Sequence, residues 1–247
     1  MQSFLPNMFY YGFPVVLLTT TNEKGNANIT PISCTFTLST HAVMALVKLN
    51  KAYENVLVVP EVVFNLPTAS MWEQVDTIAP YTAKNPVPAQ KAEKYTFAQD
   101  KFAIGGFTPL PSQKVRPPRI AQCPIQAEAK VTEVIDRNGY VLVELEFVVV
   151  HAEDHLVMDG DKINPLAWNP LIYNFKHYYG LGEHKGVNFA LRPQQWFMEI
   201  NKLRLYYDKE SIEVETQLLC FNKLGIIPQL LTINHYYQIL TLSWGAL

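Results

Sequence analysis

Several things are scarce in this chain, and each scarcity closes off a class of function. No sign of charge dominates: its 247 residues carry 20 Lys and Arg against 22 Asp and Glu, a net charge of −2. That balance provides no broad electrostatic attraction for nucleic acid or an anionic membrane, and nucleic acid is not expected as a partner. Cysteine is rare. Cys34, Cys123 and Cys220 are odd in number, far apart and free of any C-x-x-C pair, which excludes a disulfide scaffold and points to reduced thiols in the cytoplasm. Long apolar runs are missing as well. A spanning helix needs about 18 or more consecutive apolar residues, and the longest runs here are short stretches such as 147–150 and 218–221, so no membrane span is expected. The opening Met1-Gln-Ser-Phe-Leu-Pro-Asn-Met has neither the basic start nor the apolar core of a secretory leader. With 49% hydrophobic residues, disorder is excluded in turn.

Familiar catalytic signatures are equally absent. There is no G-x-x-x-x-G-K-[ST] phosphate loop and no G-x-S-x-G elbow,. The glycine cluster Gly180-Leu-Gly182-Glu-His-Lys-Gly186 follows an aromatic segment rather than a strand, so it reads as a helix-ending turn rather than a dinucleotide loop. His151-Ala-Glu-Asp-His155 spaces two imidazoles as a metal site on a helix would, but His151 ends a β-type run and a solvated loop is expected. Asp159-Gly-Asp161 reads as a turn, and 208–215 as a solvated charge run. Cys34 and Cys123 have no base placed beside them and read as structural thiols. No catalytic residue and no metal ligand is assigned.

What is present is a β-rich body. Residues 14–21, 29–38, 41–49 and 62–66 are dense in Val, Ile, Leu, Thr and Phe, which suits strands, and Asn22-Glu-Lys-Gly-Asn is a turn between the first two. Segments 126–135 and 140–151 flank Asn138-Gly139, a primed-turn signal in which both residues take positive φ. Along the second arm Glu144 and Glu146 alternate with Val143, Leu145 and Phe147, one face wet and the other buried. Three helices are expected: 70–79 with Ser70 and Glu73 as a capping box, a short one over 89–95, and one opened by Asn169-Pro170 and running to about 179.

One constellation stands out. Two strands joined by a polar turn lead into hydroxyl-bearing side chains at Thr30, Ser33, Thr35 and Thr37, and Lys48-Leu-Asn-Lys51 follows the next strand. Small donors on a strand edge let a flat polar heterocycle approach closely, and the cations suit a phosphate. An ordinary half-exposed sheet accounts for the same residues.

Four segments carry a more specific resemblance. They are Pro14-Val-Val-Leu-Leu-Thr-Thr-Thr with Gly25-Asn-Ala-Asn28-Ile-Thr-Pro31-Ile-Ser33; Tyr53-Glu-Asn55-Val with Val62-Val-Phe-Asn65-Leu-Pro67; Gly106-Phe-Thr108-Pro with Lys114-Val-Arg-Pro-Pro118 and Cys123-Pro124-Ile-Gln-Ala-Glu128; and Pro170-Leu-Ile-Tyr173 with Tyr178-Tyr-Gly-Leu-Gly182. In this order they resemble the flavin-reductase-like proteins, including flavoredoxin-type members, over residues 8–189. The resemblance implies a mainly β, six-stranded Greek-key split barrel with a few helices, an FMN cofactor and usually a homodimer. It implies that Asn28, Thr30, Ser33 and Thr35 contact the isoalloxazine edge and ribityl chain. Lys48, Asn50 and Lys51 would face the phosphate, and Asn55 and Asn65 would support the flavin-side strands. Ala52 stands where the family often has Thr, which removes one phosphate hydroxyl; Lys51 or Tyr53 would compensate. Phe107, Tyr173 and Tyr178 would line the substrate side or pack in the core.

The implied activity is an FMN-dependent oxidoreductase drawing hydride from NADH or NADPH and passing electrons to a small molecule or a protein. The alternative is a flavin-binding electron carrier without its own nicotinamide site, and a third reading is an interaction module that has lost FMN. The domain is expected to cover 1–190. Residues 191–247 form a C-terminal extension in which 216–247 carry a single charged side chain, Lys223. It reads as a segment packing on the barrel or its partner, as a weak membrane associate, or as an appendage from outside the natural reading frame.

Overall fold

The computed structural model describes residues 1–6, 9–160 and 162–188. The expected extension 191–247, with Cys220 and the acidic run 208–215, lies outside the described residues, as does Asp161. The chain divides into two units, Met1–Glu183 and His184–Leu247, and the fold described here is that of the first.

The order of elements begins β1 (Phe13–Pro14), β2 (Val16–Thr21), β3 (Ala27–Ile32), β4 (Thr35–Leu38), β5 (His41–Val47), α1 (Lys51–Val58) and β6 (Glu61–Leu66). Next come α2 (Trp72–Ile78), α3 (Lys101–Gly105), the short β7 (Pro109–Leu110) and β8 (Arg119–Ile120), and the long hairpin β9 (Ile125–Asp136) and β10 (Tyr140–Ala152). The series closes with β11 (Val157–Met158), β12 (Lys162–Ile163), β13 (Ile172–Asn174) and β14 (His177–Tyr179).

The main sheet runs β3-β2-β6-β9-β10-β5-β4. Its two ends are consecutive in sequence. β3 and β4 are halves of one strand that bends at Ser33–Cys34, the first half pairing with β2 and the second with β5. The bend stays in the sheet, because Cys34 C=O accepts from Ala45 N–H at 3.0 Å. Counted this way the barrel has six strands, and its seam is a corner in a continuous chain.

Burial follows from this curvature. β2 is buried at every position, which a strand lining two cores must be. Val16 and Leu18 point into the barrel with Met44, Leu46, Phe64, Val143 and Leu145. Val15, Leu17 and Ile29 join Val75 and Ile78 of α2, Phe102 of α3, and Ile120, Cys123 and Leu171 in a second core outside the sheet. Burial raises the Cys123 thiol pKa well above its ordinary value, so this cysteine is inert.

Four local expectations are corrected. The 126–151 hairpin forms, but Asn138 is not among the positive-φ residues; Gly139 alone, at φ 85°, turns the chain, so a primed turn is not used. Segment 169–179 is a β-hairpin rather than a helix. β13 pairs with β1 and β14, and Phe175 and Lys176 take φ of 46° and 70° at its tip. Alternation of Tyr173 and Tyr178 onto the second core outweighs the Asn-Pro start signal, and the glycines from Gly180 follow a strand. Ser70 caps nothing: it lies inside a 3₁₀ turn over Ala69–Met71, and its hydroxyl meets Thr68 at 2.9 Å. Residues 89–95 make isolated turns, with Tyr95 N–H donating to Lys91 C=O at 2.9 Å, but no helix. Among the described residues no helix is long and apolar enough to cross a membrane.

Candidate functional site

Past Leu18 and Ile32, the barrel-facing rows of β2 and β3 turn polar. Thr20 lies opposite Asn28, and Thr30 opposite Leu18. Asn55, on α1, faces the same spot. All four are buried, and a buried polar group needs partners. Asn28 Nδ2 donates to Thr20 Oγ1 at 3.1 Å and to Thr30 Oγ1 at 3.2 Å, while Asn55 Nδ2 donates to Thr20 Oγ1 at 3.1 Å. The network stops short of completion. Asn55 Oδ1 is buried with no partner among the described residues.

Lys101 closes this network from α3. Asp100 caps that helix by accepting from Ala103 N–H at 3.0 Å, and Phe102 seats it in the second core. The lysine is thereby carried inside, only 1% exposed. Its Nζ donates to Asn28 Oδ1 at 2.6 Å and to Ile29 C=O at 3.1 Å. An ammonium has three protons to donate, so one is left without an acceptor among the described residues. Burial, then the charges of Lys91 and Lys51, push its pKa down to about 7.

The start of α1 is the next part of the site. Asn50 occupies the N-cap position without a side-chain cap bond. Its Oδ1 accepts instead from Lys91 Nζ at 2.5 Å, which also donates to Thr82 Oγ1 at 3.1 Å. Burial lowers the Lys91 pKa. Lys51 pairs with Glu54 at 3.0 Å. Three amines therefore converge on one region, with one carboxylate, that of Glu54, paired among them. Ser33 and Thr35 sit half-buried at the strand corner with hydroxyls that make no hydrogen bond among the described residues. Beside them the Cys34 side chain, together with burial, raises the Tyr10 pKa to about 12.

Two expected residues do not join this cluster. Lys48 Nζ is held by both oxygens of Asp136 at 2.7 Å, across from the hairpin turn. Asn65 is a brace: Nδ2 donates to Leu17 C=O at 2.9 Å and Oδ1 accepts from Ile120 N–H at 2.8 Å, tying β6 to β2 and β8. Conversely, sequence reasoning missed Thr20, Lys91 and Lys101. Only Asp100, a sound N-cap residue before Lys-Phe, hints that a short helix carries Lys101 inward.

His151 is not in a solvated loop. Its Nε2 lies 2.7 Å from Glu128 Oε1, whereas His155 meets Glu153 at 3.3 Å. Glu128, fully buried, also accepts from Gln113 N–H at 2.8 Å and Lys114 N–H at 2.6 Å. Burial raises its pKa, but those N–H bonds and His151 outweigh burial and hold it below the ordinary carboxylate value. Elsewhere, Trp72, Asp76, Leu171, Tyr178 and Tyr179 line an open cleft of about 480 Å³. Burial and Asp76 raise the Tyr178 pKa to about 12. Phe107 packs wholly within the second core.

A split barrel with hydroxyl and amide groups at its corner and an amine cluster at the start of α1 is of the class that the four-segment resemblance implied. The comparisons give the same class. The flavin reductase like domain model matches residues 8–182, and the chain belongs to that family. An uncharacterized protein of Bacillus subtilis (strain 168), YdfE, is 39% identical over 188 residues, 74% of this chain and 91% of that protein. Flavoredoxin of Desulfovibrio vulgaris (Miyazaki F) superposes with a TM-score of 0.66 at 20% identity, covering 77% of this chain and 98% of its own. A flavin reductase with split barrel domain from Shewanella frigidimarina superposes at 0.60 and 19% identity, covering 72% and 87%. The fold is the mainly β split barrel of flavin-reductase-like proteins, and the chain is a flavoprotein of oxidoreductase kind.

Proposed function

We propose that the protein binds FMN and works as a flavin-reductase-like oxidoreductase that takes hydride from NADH or NADPH. The observation that carries this reading is the incomplete polar network at the corner of β3 and α1. It holds a buried acceptor without a donor, Asn55 Oδ1, an ammonium with a spare proton, Lys101, and amines in excess over carboxylates. An anionic, hydrogen-bonding heterocycle completes each of these, and the donor set fits FMN.

In this reading Asn28, Thr30, Ser33 and Thr35 meet the isoalloxazine edge and ribityl chain. Asn50 and Lys51 face the phosphate, joined by Lys91 and Lys101, which offset the hydroxyl missing at Ala52. Lys48, held by Asp136, stands apart, and Asn65 braces the strand beneath. Bound FMN would supply the hydride and electron chemistry itself. This chain's residues bind it, orient it and set donors where negative charge develops. They need supply no acid or base, which agrees with Glu128 being fully engaged by N–H groups. A homodimer is also proposed, supported by the exposed apolar side chains Phe36, Leu38, Val47 and Tyr140 on the outer face of β4, β5 and β10. Light scattering should give twice the 28.1 kDa chain mass.

The test is the absorbance spectrum. Protein as purified, or after addition of FMN, should be yellow and should bleach with NADH or NADPH. A protein that takes up no FMN refutes the reading. If the bound flavin stays oxidised with both nicotinamides but accepts electrons from a ferredoxin-like donor, the protein is an electron carrier, a reading favoured by the lack of any nicotinamide motif.

A further inference from the structure

The amine of Lys101 is the most enclosed cation among the described residues, and no carboxylate among them pairs with it. The groups around it can be named element by element. β3 offers only the Asn28 amide and the Ile29 carbonyl. From its own helix, the Asp100 carboxylate is turned to the Ala103 N–H. On α2, Glu73 and Asp76 are exposed, and Asp76 meets Tyr178. On α1, Lys51 is paired with Glu54, and from loop 89–95 comes Lys91, bound to neutral Asn50 and Thr82. A buried charge is normally paired; this one is solvated by two neutral oxygens and faces two further amines.

We infer that Lys101 is a positioning residue whose protonation is linked to occupancy of the site by a phosphomonoester anion. The inference deepens the flavin reading and rests on it for the choice of FMN. Without an anion, the buried amine is shared between its charged and neutral forms near neutral pH. An entering phosphate offsets the amines of Lys51 and Lys91, accepts the spare Lys101 proton and draws one proton from solvent onto Nζ. No covalent bond forms or breaks. As an ammonium it strengthens its existing bond to Asn28 Oδ1, which already directs Asn28 Nδ2 to Thr20 and Thr30, and so stiffens the polar face of the site. By linkage, a site that takes up a proton on binding loses affinity as pH rises through the pKa of the free state, here about 7.

Calorimetry on the full chain tests this, in phosphate-free buffers of different ionisation enthalpy at pH 8. The titrants are FMN, inorganic phosphate and riboflavin, which lacks the phosphate. FMN and phosphate should each bind with uptake of close to one proton, and riboflavin with none. FMN affinity should fall by up to about tenfold per pH unit above neutrality. Lys101→Arg, whose charge does not titrate in this range, should bind FMN without uptake, as should Lys101→Met, more weakly. FMN binding with no proton uptake, or uptake that persists in both variants, overturns the inference and leaves the flavin reading intact. Phosphate bound with a proton while FMN is refused leaves the inference standing and removes the flavin reading. Binding of neither anion overturns both. The wild-type measurement stands whether or not either variant folds.

Discussion

At the scale of single residues, the molecule separates polar groups that brace from polar groups that wait. Asn65 is engaged mainly by backbone, with one bond to the Thr19 hydroxyl, and removing its amide leaves the buried Ile120 N–H without an acceptor. Asn65→Ala should cost about 1–3 kcal/mol, the penalty for an unmade buried bond, read as a lower urea midpoint at unchanged slope. Lys101 acts in the opposite sense, because its pKa in the folded chain, about 7, is below its ordinary 10.5. Between those values the unfolded chain holds more protons, so stability rises with pH across that window, and below it the full cost of burying a charge remains. Without added flavin, the protein should gain thermal stability from pH 7 to pH 9 relative to Lys101→Met; parallel pH profiles of the two would count against this. Glu128 behaves as a depressed carboxylate does. Its contribution is complete above the ordinary carboxylate range and is lost as pH falls through its lowered pKa. Glu128→Gln should therefore flatten the acid limb of the melting-temperature profile.

At the scale of elements, the strands were legible and the helices largely were not. Runs such as Val16–Thr21 announce a strand through β-branched density alone. The barrel rows then follow from a period of two, which puts Asn28 and Thr30 on one face of β3,, whereas their role, and that of Asn55 on α1, was legible only through the family resemblance. Helix α1 escaped notice because Lys51–Val58 is short and its N-cap Asn50 spends its side chain on Lys91. The 172–179 hairpin was misread because its strands are fixed by pairing with β1 and by packing of Tyr173 and Tyr178, neither a local signal. Lys101 was invisible for a related reason: its burial depends on how α3 docks. That docking has a tight point. A Cβ on Gly105 would meet Phe107 Cδ2 at 2.6 Å and Ile78 Cγ2 at 2.9 Å. Gly105→Ala should destabilise by about 1–3 kcal/mol, as overpacking does. Because α3 carries Lys101, the same change should weaken FMN binding in a titration by fluorescence quenching.

At the scale of the whole molecule, the family match ends at residue 182, and every residue assigned to the site lies before it. A chain ending at Leu191 should accordingly hold FMN within a few-fold of the full-length affinity; loss of binding would assign the C-terminal segment a part in the site. The bend at Ser33–Cys34 has a consequence of a different kind. A ligand gripping Ser33 and Thr35 restrains a piece of chain that belongs to both margins of the sheet. Slower deuterium uptake should then appear together in β2 and β5, strands that never pair with one another. The barrel would work as a clasp, its fastening visible in amide exchange far from any atom the ligand touches.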